Sequence, residues 1–356
     1  MSLENTDYRP TPPLSALNAQ LTQILVPRPA LDKCPVCRSH CLTKRFSTIR
    51  YIRYSRCRVC GFTFSNPVPA NETLESFYNS QFYLNYRKFE ENRMERDPYY
   101  SISMYTDMSR LANWLGTDKS ITILDYGCGT GAFLAFLRDK YGFQNVEGIE
   151  LSNAGVIIGT HKFRLPLVSS KRELQRRSYD CVLLLEVIEH VPNPDIFFEE
   201  VVNFVKPGGS ILITTPAVDN LLGLLMPAFC PHFTGPSHIS MFTEKSISLL
   251  LSRFGFGIER LEVDTSKFNL FQTFGISLLY NLDFMSPHND DDHIDSLYIP
   301  HLCGRYLKFH PQRQVPRMGI CGHFLRGLDR LVGYAWQRLP SAPRNEHLYV
   351  LARKAA

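Results

Sequence analysis

The stretch Ile123-Leu-Asp-Tyr-Gly-Cys-Gly-Thr-Gly131 decides how the rest of the chain is read. It begins inside an apolar run, 121–126, with strand character, and ends where Ala132–Lys140 takes up helical spacing. Gly127, Gly129 and Gly131 let the backbone turn tightly and come close to a ligand. Asp125 places a carboxylate at the carboxyl end of the strand, where open sheets of alternating strands and helices bind ligands. A dinucleotide loop reads G-x-G-x-x-G and seats a diphosphate on the helix N-terminus. This loop reads G-x-G-x-G behind an acid, which repels a diphosphate and suits a cationic amino group. The next strand, Val146-Glu-Gly-Ile-Glu150, ends on a second acid about 20 residues beyond the glycines, the place for a ribose diol. An adenosine carrying an amino acid satisfies both acids; a nicotinamide dinucleotide satisfies one.

Outward from this stretch the chain keeps alternating. Residues 153–161 have helical spacing, 165–168 form a short strand, and Tyr179–Leu185 is a strongly apolar one. A helix through 197–205 precedes a strand at 210–215; Thr243–Phe254 reads as a helix, and 255–265 and His347–Arg353 as strands. The order predicts an α/β fold with a parallel sheet covered on both faces. Upstream, Leu74, Phe77 and Tyr78 share one helical face, and Met104, Tyr105, Met108, Leu111, Ala112 and Leu115 another, stopped by Gly116.

The composition of the 356 residues bounds the class. Hydrophobic residues at 44% and charged residues at 21% exclude a largely disordered chain. A net charge of +5, from 39 basic and 34 acidic residues, is too small to indicate nucleic-acid binding by itself. No apolar run approaches the ~20 residues of a membrane span. The polar, proline-bearing start has no secretory pattern, so a cytoplasmic protein is expected.

Asp125-x-Gly-x-Gly-x-Gly, Glu150 and the later Val205-Lys-Pro-Gly-Gly209 resemble the class I S-adenosylmethionine-dependent methyltransferases. The resemblance implies a Rossmann-like seven-stranded sheet whose last strand, here at 347–353, inserts antiparallel. It also implies a donor site formed by Asp125, Tyr126, Gly127, Gly129, Gly131, Glu150, Leu151 and Glu186. Family members often carry an acid after the third strand for the adenine amine; Ser169 and Ser170 stand there in this chain.

Strand 179–185 runs into Glu186-Val-Ile-Glu189-His190. With a helical turn opening at Glu186, Glu189 and His190 return to the same side. Two carboxylates and an imidazole suit a divalent ion such as Mg²⁺, which would hold neighbouring substrate oxygens and acidify a hydroxyl. The stretch resembles that of the ubiquinone-pathway O-methyltransferases and of small-RNA 2′-O-methyltransferases, in which these residues and a later histidine bind metal. His238 occupies a similar later loop. Methyltransferases without metal share the stretch too; there the first glutamate and the histidine shape the donor pocket. His238 is then a general base or a hydrogen-bond partner for the substrate. Glu186, His190 and His238 are therefore the expected catalytic residues, and Glu186, Glu189, His190 and His238 the expected second metal site.

Cys34-Pro-Val-Cys37 and Cys57-Arg-Val-Cys60-Gly, nineteen residues apart, match a four-cysteine structural zinc site. His40 and Cys41 are not expected to join it. Arg45, Arg50, Arg53, Arg56 and Arg58, with Tyr51 and Tyr54 between them, would also serve a nucleic-acid-binding ribbon. The residues after the second pair instead resemble the N-terminal zinc modules of bacterial small-molecule methyltransferases, among them sugar C-methyltransferases. The knuckle spacing is shorter than in the sugar enzymes, and their second domain after the core is not evident.

In residues 266–345, Cys321, Phe324, Leu325, Leu328, Leu331, Val332, Ala335 and Trp336 share one helical face. Eight basic residues and one acid lie between Arg305 and Arg344. Such a helix packs on its own domain or lies on an anionic membrane surface. As a lid it favours a hydrophobic or anionic acceptor.

The expected organisation is a flexible leader at 1–30, a zinc ribbon at 31–68, a helical cap at 69–120, the core at 121–265, a helical insertion at 266–345 and the last strand and tail at 346–356. The expected function is methyl transfer to a small-molecule acceptor, first an O-methylation. Sugar C-methylation, RNA 2′-O-methylation and non-catalytic donor binding are the alternatives.

Overall fold

The computed structural model describes residues 29–43, 46–47, 53–69, 78, 84, 87, 91–92, 94–95, 97–99, 107–218, 238–264 and 347–356. Most of the leader, much of the cap and the whole insertion at 266–345 lie outside the described residues.

Seven strands make the main sheet. They are β4 (Ile123–Tyr126), β5 (Val146–Ile149), β6 (Leu167–Val168), β7 (Tyr179–Leu185), β8 (Val205–Pro216), β10 (Phe256–Asp264) and β11 (His347–Lys354). Their spatial order is β10-β11-β8-β7-β4-β5-β6. Strand β11 runs antiparallel to both neighbours, and the other contacts that join β4 to β8 are parallel. The chain winds one way from β4 through β6 and the other way from β7 to β8. The switch point between β4 and β7 is where such sheets open a ligand crevice.

Strand β7 is apolar throughout because both of its faces are covered. Val182 and Leu184 belong to one hydrophobic cluster, and Cys181, Leu183 and Leu185 to the other. Strand β11 divides in the same way: Leu348, Val350 and Ala352 go to the first cluster, Tyr349 and Leu351 to the second. Each aliphatic side chain buried here contributes about 1.5–3 kcal/mol.

Helices α1 (Met108–Trp114), α2 (Ala132–Tyr141), α3 (Asn153–Phe163), α4 (Pro194–Val201) and α5 (Glu244–Arg253) follow their local signals. Asn193 accepts bonds from the first turn of α4, and Pro194 needs no partner at its start. Thr243 and Ser246 form a capping box on α5.

A second sheet joins β1 (Phe46–Ser47), β2 (Arg53–Arg56), β3 (Thr63–Ser65) and β9 (Ser240–Met241). Three of its strands come from the cysteine module and the fourth from the core. The apolar residues of the module, Val36, Phe62 and Phe64, sit in the same cluster as Phe242, Ile247 and Leu250.

Some boundaries differ from the expected ones. Strand β8 begins at Val205, so Val-Lys-Pro-Gly-Gly lies inside a strand rather than ahead of one. Helix α4 ends at Val201 and passes through a 3₁₀ turn, 202–204, because the incoming strand starts immediately afterwards. The third strand shrinks to Leu167–Val168 at the sheet edge, where only β5 supports it.

Candidate active site

The glycine loop closes on itself. Gly127 and Cys128 donate backbone bonds to Ile149 O at 2.8 and 3.0 Å. Gly127 has φ +85°, and a Cβ there would lie 2.7 Å from Val187 Cγ2, so the position admits only glycine without strain. Glu150 follows β5 and holds the loop in place. Its carboxylate accepts from Gly129 N and from Ser152 N, both at 2.9 Å.

Asp125, at the end of β4, is buried, and its Oδ1 has no hydrogen-bond partner among the described residues. Burial, aided by the nearby Glu150 charge, pushes its carboxyl up to about 8. A buried acid of this kind accommodates a cation that restores its charge. Tyr126 ends β4, and its hydroxyl donates to Glu200 Oε1 at 2.7 Å. Leu151 is exposed beside the loop. Ser170 accepts a bond from Arg172 N and caps a short turn after β6.

Arg87 joins the loop without any signal in the local sequence. It is buried, and its Nη2 lies 4.0 Å from Glu150 Oε1. Its guanidinium also covers Gly129. One arginine in a helical stretch carries no pattern; only the fold brings it to the loop.

The Glu-Val-Ile-Glu-His stretch departs from a helical turn opening at Glu186. Glu186 takes φ +56°, a strained value for a side-chain-bearing residue, and a 3₁₀ turn begins only at Ile188. Glu186 thereby turns to a partner on β11. Glu186 Oε2 lies 3.2 Å from Nε2 of the buried His347 on β11. Burial raises the Glu186 carboxyl, but the His347 charge and hydrogen bond, with help from Thr214 and His238, outweigh it and hold the group low. Glu189 is fully buried and accepts from Thr215 Oγ1 at 3.0 Å, while its Oε1 accepts no hydrogen bond among the described residues and lies 3.7 Å from His190 Nε2. Burial and the Glu186 charge push its carboxyl well up.

Glu189, His190 and His238 bring ligand atoms within 4.8 Å of one another; Glu186 does not join them. The rings of His190 and His238 meet edge-on with centroids 4.9 Å apart. His347 was not read as a site residue from the sequence. A histidine opening the last strand was the available signal, but its partner lies 161 residues away.

Cys34, Cys37, Cys57 and Cys60 also gather their sulfurs within 4.8 Å. Cys34 lies 3.6 Å from Cys60, and Cys37 lies 3.4 Å from Cys57. Four thiolates at ~2.3 Å from a tetrahedral zinc are about 3.8 Å apart, so the cage is close to the size that zinc needs. The knuckles match: Arg38 N donates to Cys34 O and Gly61 N to Cys57 O, with φ +63° and +79° at the turns. Cys41 is exposed, and His40 faces Asp32, apart from the cage.

Residues 94–261 match the family model described as a methyltransferase domain. Over 114 residues the chain is 33% identical to the 2-methyl-6-phytyl-1,4-hydroquinone methyltransferase of Synechocystis sp., covering 29% of this chain and 35% of that protein. Over 105 residues it is 32% identical to the ubiquinone biosynthesis O-methyltransferase of Shewanella halifaxensis, covering 26% and 42%. The matches thus span less than half the length of these relatives. Among solved structures, a phosphoethanolamine N-methyltransferase 2 of Haemonchus contortus in complex with S-adenosyl-L-methionine is similar with a TM-score of 0.43 at 18% identity, covering 71% of this chain and 53% of that one. No helix among the described residues is long and apolar enough to cross a membrane. Glycine loop, following acid, switch-point crevice and reversed last strand agree with the family match, and residues 94–261 are a class I S-adenosylmethionine-dependent methyltransferase domain.

Proposed function

We propose that the protein transfers a methyl group from S-adenosylmethionine to a hydroxyl of a small molecule. The observation that carries the acceptor chemistry is the meeting of Glu189, His190 and His238 at the carboxyl end of β7, on the switch-point side of the sheet. In this reading Asp125 holds the donor's amino group and Glu150 the ribose, with Arg87 and the glycine loop closing the crevice. The names of the ubiquinone-pathway O-methyltransferase relatives support a hydroxyl acceptor.

One imidazole takes the acceptor's proton. The oxygen lone pair then forms the O–C bond as the C–S bond breaks, and the electron pair returns to sulfur as a neutral thioether. Most of the rate comes from holding the two reactants in line, an effect worth up to ~7–11 kcal/mol.

A divalent ion fits Glu189, His190 and His238, an acid and two imidazoles whose Glu189 Oε1 accepts no hydrogen bond among the described residues. When bound, it supplies charge that acidifies the acceptor hydroxyl. Glu186, tied to His347, stays outside this ligand set and shapes the donor side. Zinc fits the four cysteines in a structural role, since every position is filled by sulfur.

Purified protein, labelled donor and a mass-spectrometric search of a cell extract for gains of one methylene test the reading. Labelled products stable to mild acid and bearing an aryl or alkyl ether support it. Labelled carbon–carbon products, or labelled RNA, contradict it.

A further inference from the structure

The cysteine module reaches the acceptor side of the site through the backbone. Strand β9, only two residues long, lies between two sets of partners. On one side Thr63 and Phe64 of β3 pair with Met241 and Ser240, and Ser65 N donates to Ile239 O at 2.8 Å. On the other side Ile239 N donates to Glu189 O at 2.8 Å, and Ser240 Oγ donates to Val191 O at 2.6 Å. The loop carrying His238 is therefore stitched between the module and the turn that bears Glu189 and His190. A strand this short keeps its register only through such neighbours.

Tyr54 acts on His238 itself. It is fully buried on β2, and its hydroxyl donates to the His238 carbonyl at 2.6 Å. Further bonds hold the far end of the same segment. Thr243 Oγ1 donates to Cys60 O at 2.8 Å, and Lys245 Nζ donates to Val59 O at 2.6 Å. Arg253 clamps the first knuckle, donating to Val36 O at 2.7 Å and to both oxygens of Asp195 at 2.9 and 3.0 Å. Both knuckles are thus wired to the segment 238–253. The donor crevice is built differently: bonds within 127–152 hold its glycine loop, and Arg87 lies over Gly129.

We infer that the cysteine module is a positioning element of the acceptor site, with Tyr54 and β3 holding His238 against Glu189 and His190, and with metal at the four cysteines keeping Tyr54 and β3 in place. The inference rests on the reading that His238 serves the acceptor and that the cysteines hold zinc. Loss of that zinc then loosens residues 238–241 and leaves donor binding intact.

Full-length Tyr54→Phe tests the contact, since it keeps the ring and removes only the donor to His238. Three quantities are read: amide exchange along the chain, the NMR titration curve of the His238 ring, and calorimetric affinity for S-adenosylhomocysteine. Losing one buried hydrogen bond predicts about tenfold faster exchange at Ile239 and Ser240. The His238 curve should shift, while the affinity stays within about twofold. A Tyr54 that only stabilises the fold lowers Tm and leaves the His238 curve and local exchange at parental values; that result overturns the inference.

If the variant fails to fold, the parental protein serves. A mercurial displaces the zinc, a chromogenic chelator counts it, and exchange and S-adenosylhomocysteine affinity are read before and after. Faster exchange at 239–241 with unchanged affinity supports the coupling. Unchanged exchange, or affinity lost together with the metal, refutes it. A protein purified without zinc refutes the metal reading separately, and Tyr54→Phe then decides the contact alone.

Discussion

Asp125, Gly129 and Glu150 come from one stretch of chain, on two adjacent parallel strands and the loop between them. Tyr54, Glu189 and His238 come from three segments far apart in the sequence, and each is fixed by a partner in another segment. The proposed donor crevice is thus mainly local, with Arg87 brought in by the fold, and the proposed acceptor face is an assembly. Changes in the first should act on donor affinity, and changes in the second should act on the transfer step.

The largest expected effect lies in the donor crevice. Glu150→Ala removes two bonds at 2.9 Å that hold Gly129 and Ser152, together with the proposed ribose acceptor. Charge-assisted bonds of this kind are worth about 1.5–3 kcal/mol each, so donor affinity should fall at least about 100-fold by calorimetry. An affinity within a few-fold of the parent would break the comparison, because the loop would then not depend on its local acid.

Gly127→Ala probes the same loop through stability. The positive φ and the close approach of Val187 predict a loss of about 1–3 kcal/mol, read from denaturant unfolding. The penalty should be recovered in part by Val187→Ala, which clears the space for the new methyl group.

The pH dependence separates the halves next. Asp125 has its folded carboxyl raised to about 8, so the donor-free protein keeps it protonated at neutral pH. A raised acid stabilises the fold below its unfolded value, and that contribution fades as pH rises through about 8. A cationic donor binds the ionised form. Its affinity should therefore climb between pH 6 and 8, by up to about tenfold per unit, with release of about one proton per donor bound at pH 7. Calorimetry in buffers of different ionisation enthalpy reads the proton directly. Flat affinity across this window would remove Asp125 from the donor seat.

The smallest effect is at the joint of module and core. Arg253 is partly exposed, so Arg253→Ala should cost no more than about 1 kcal/mol of stability, despite its contacts to Asp195 and Val36. Donor affinity should be unchanged.

This division also decides what was legible in the sequence. The glycine loop, β4, β5 and β7 were readable because apolar runs, glycine spacing and terminal acids lie next to one another along the chain; β7 was placed at its observed limits. The joint between β3 and β9 was not, because strands of three and two residues carry no periodicity. That Glu186 stands outside the group of Glu189, His190 and His238 was hidden for a different reason. Helical spacing predicts neighbours at three and four positions, but Glu186 takes φ +56° and bonds the buried His347. Tertiary contacts override local period at the site itself, where strain is often kept.

The central claim is that a sulfonium nucleoside sits between Asp125 and Glu150, and titration calorimetry of the full chain with S-adenosylmethionine and S-adenosylhomocysteine, repeated on Asp125→Asn, tests it most directly. The account predicts saturable one-to-one binding of both compounds by the parent. In the variant, the affinity falls at least about tenfold for each, since one charge-assisted contact is lost. Binding of neither compound by the folded parent, or full affinity in the variant, would contradict it.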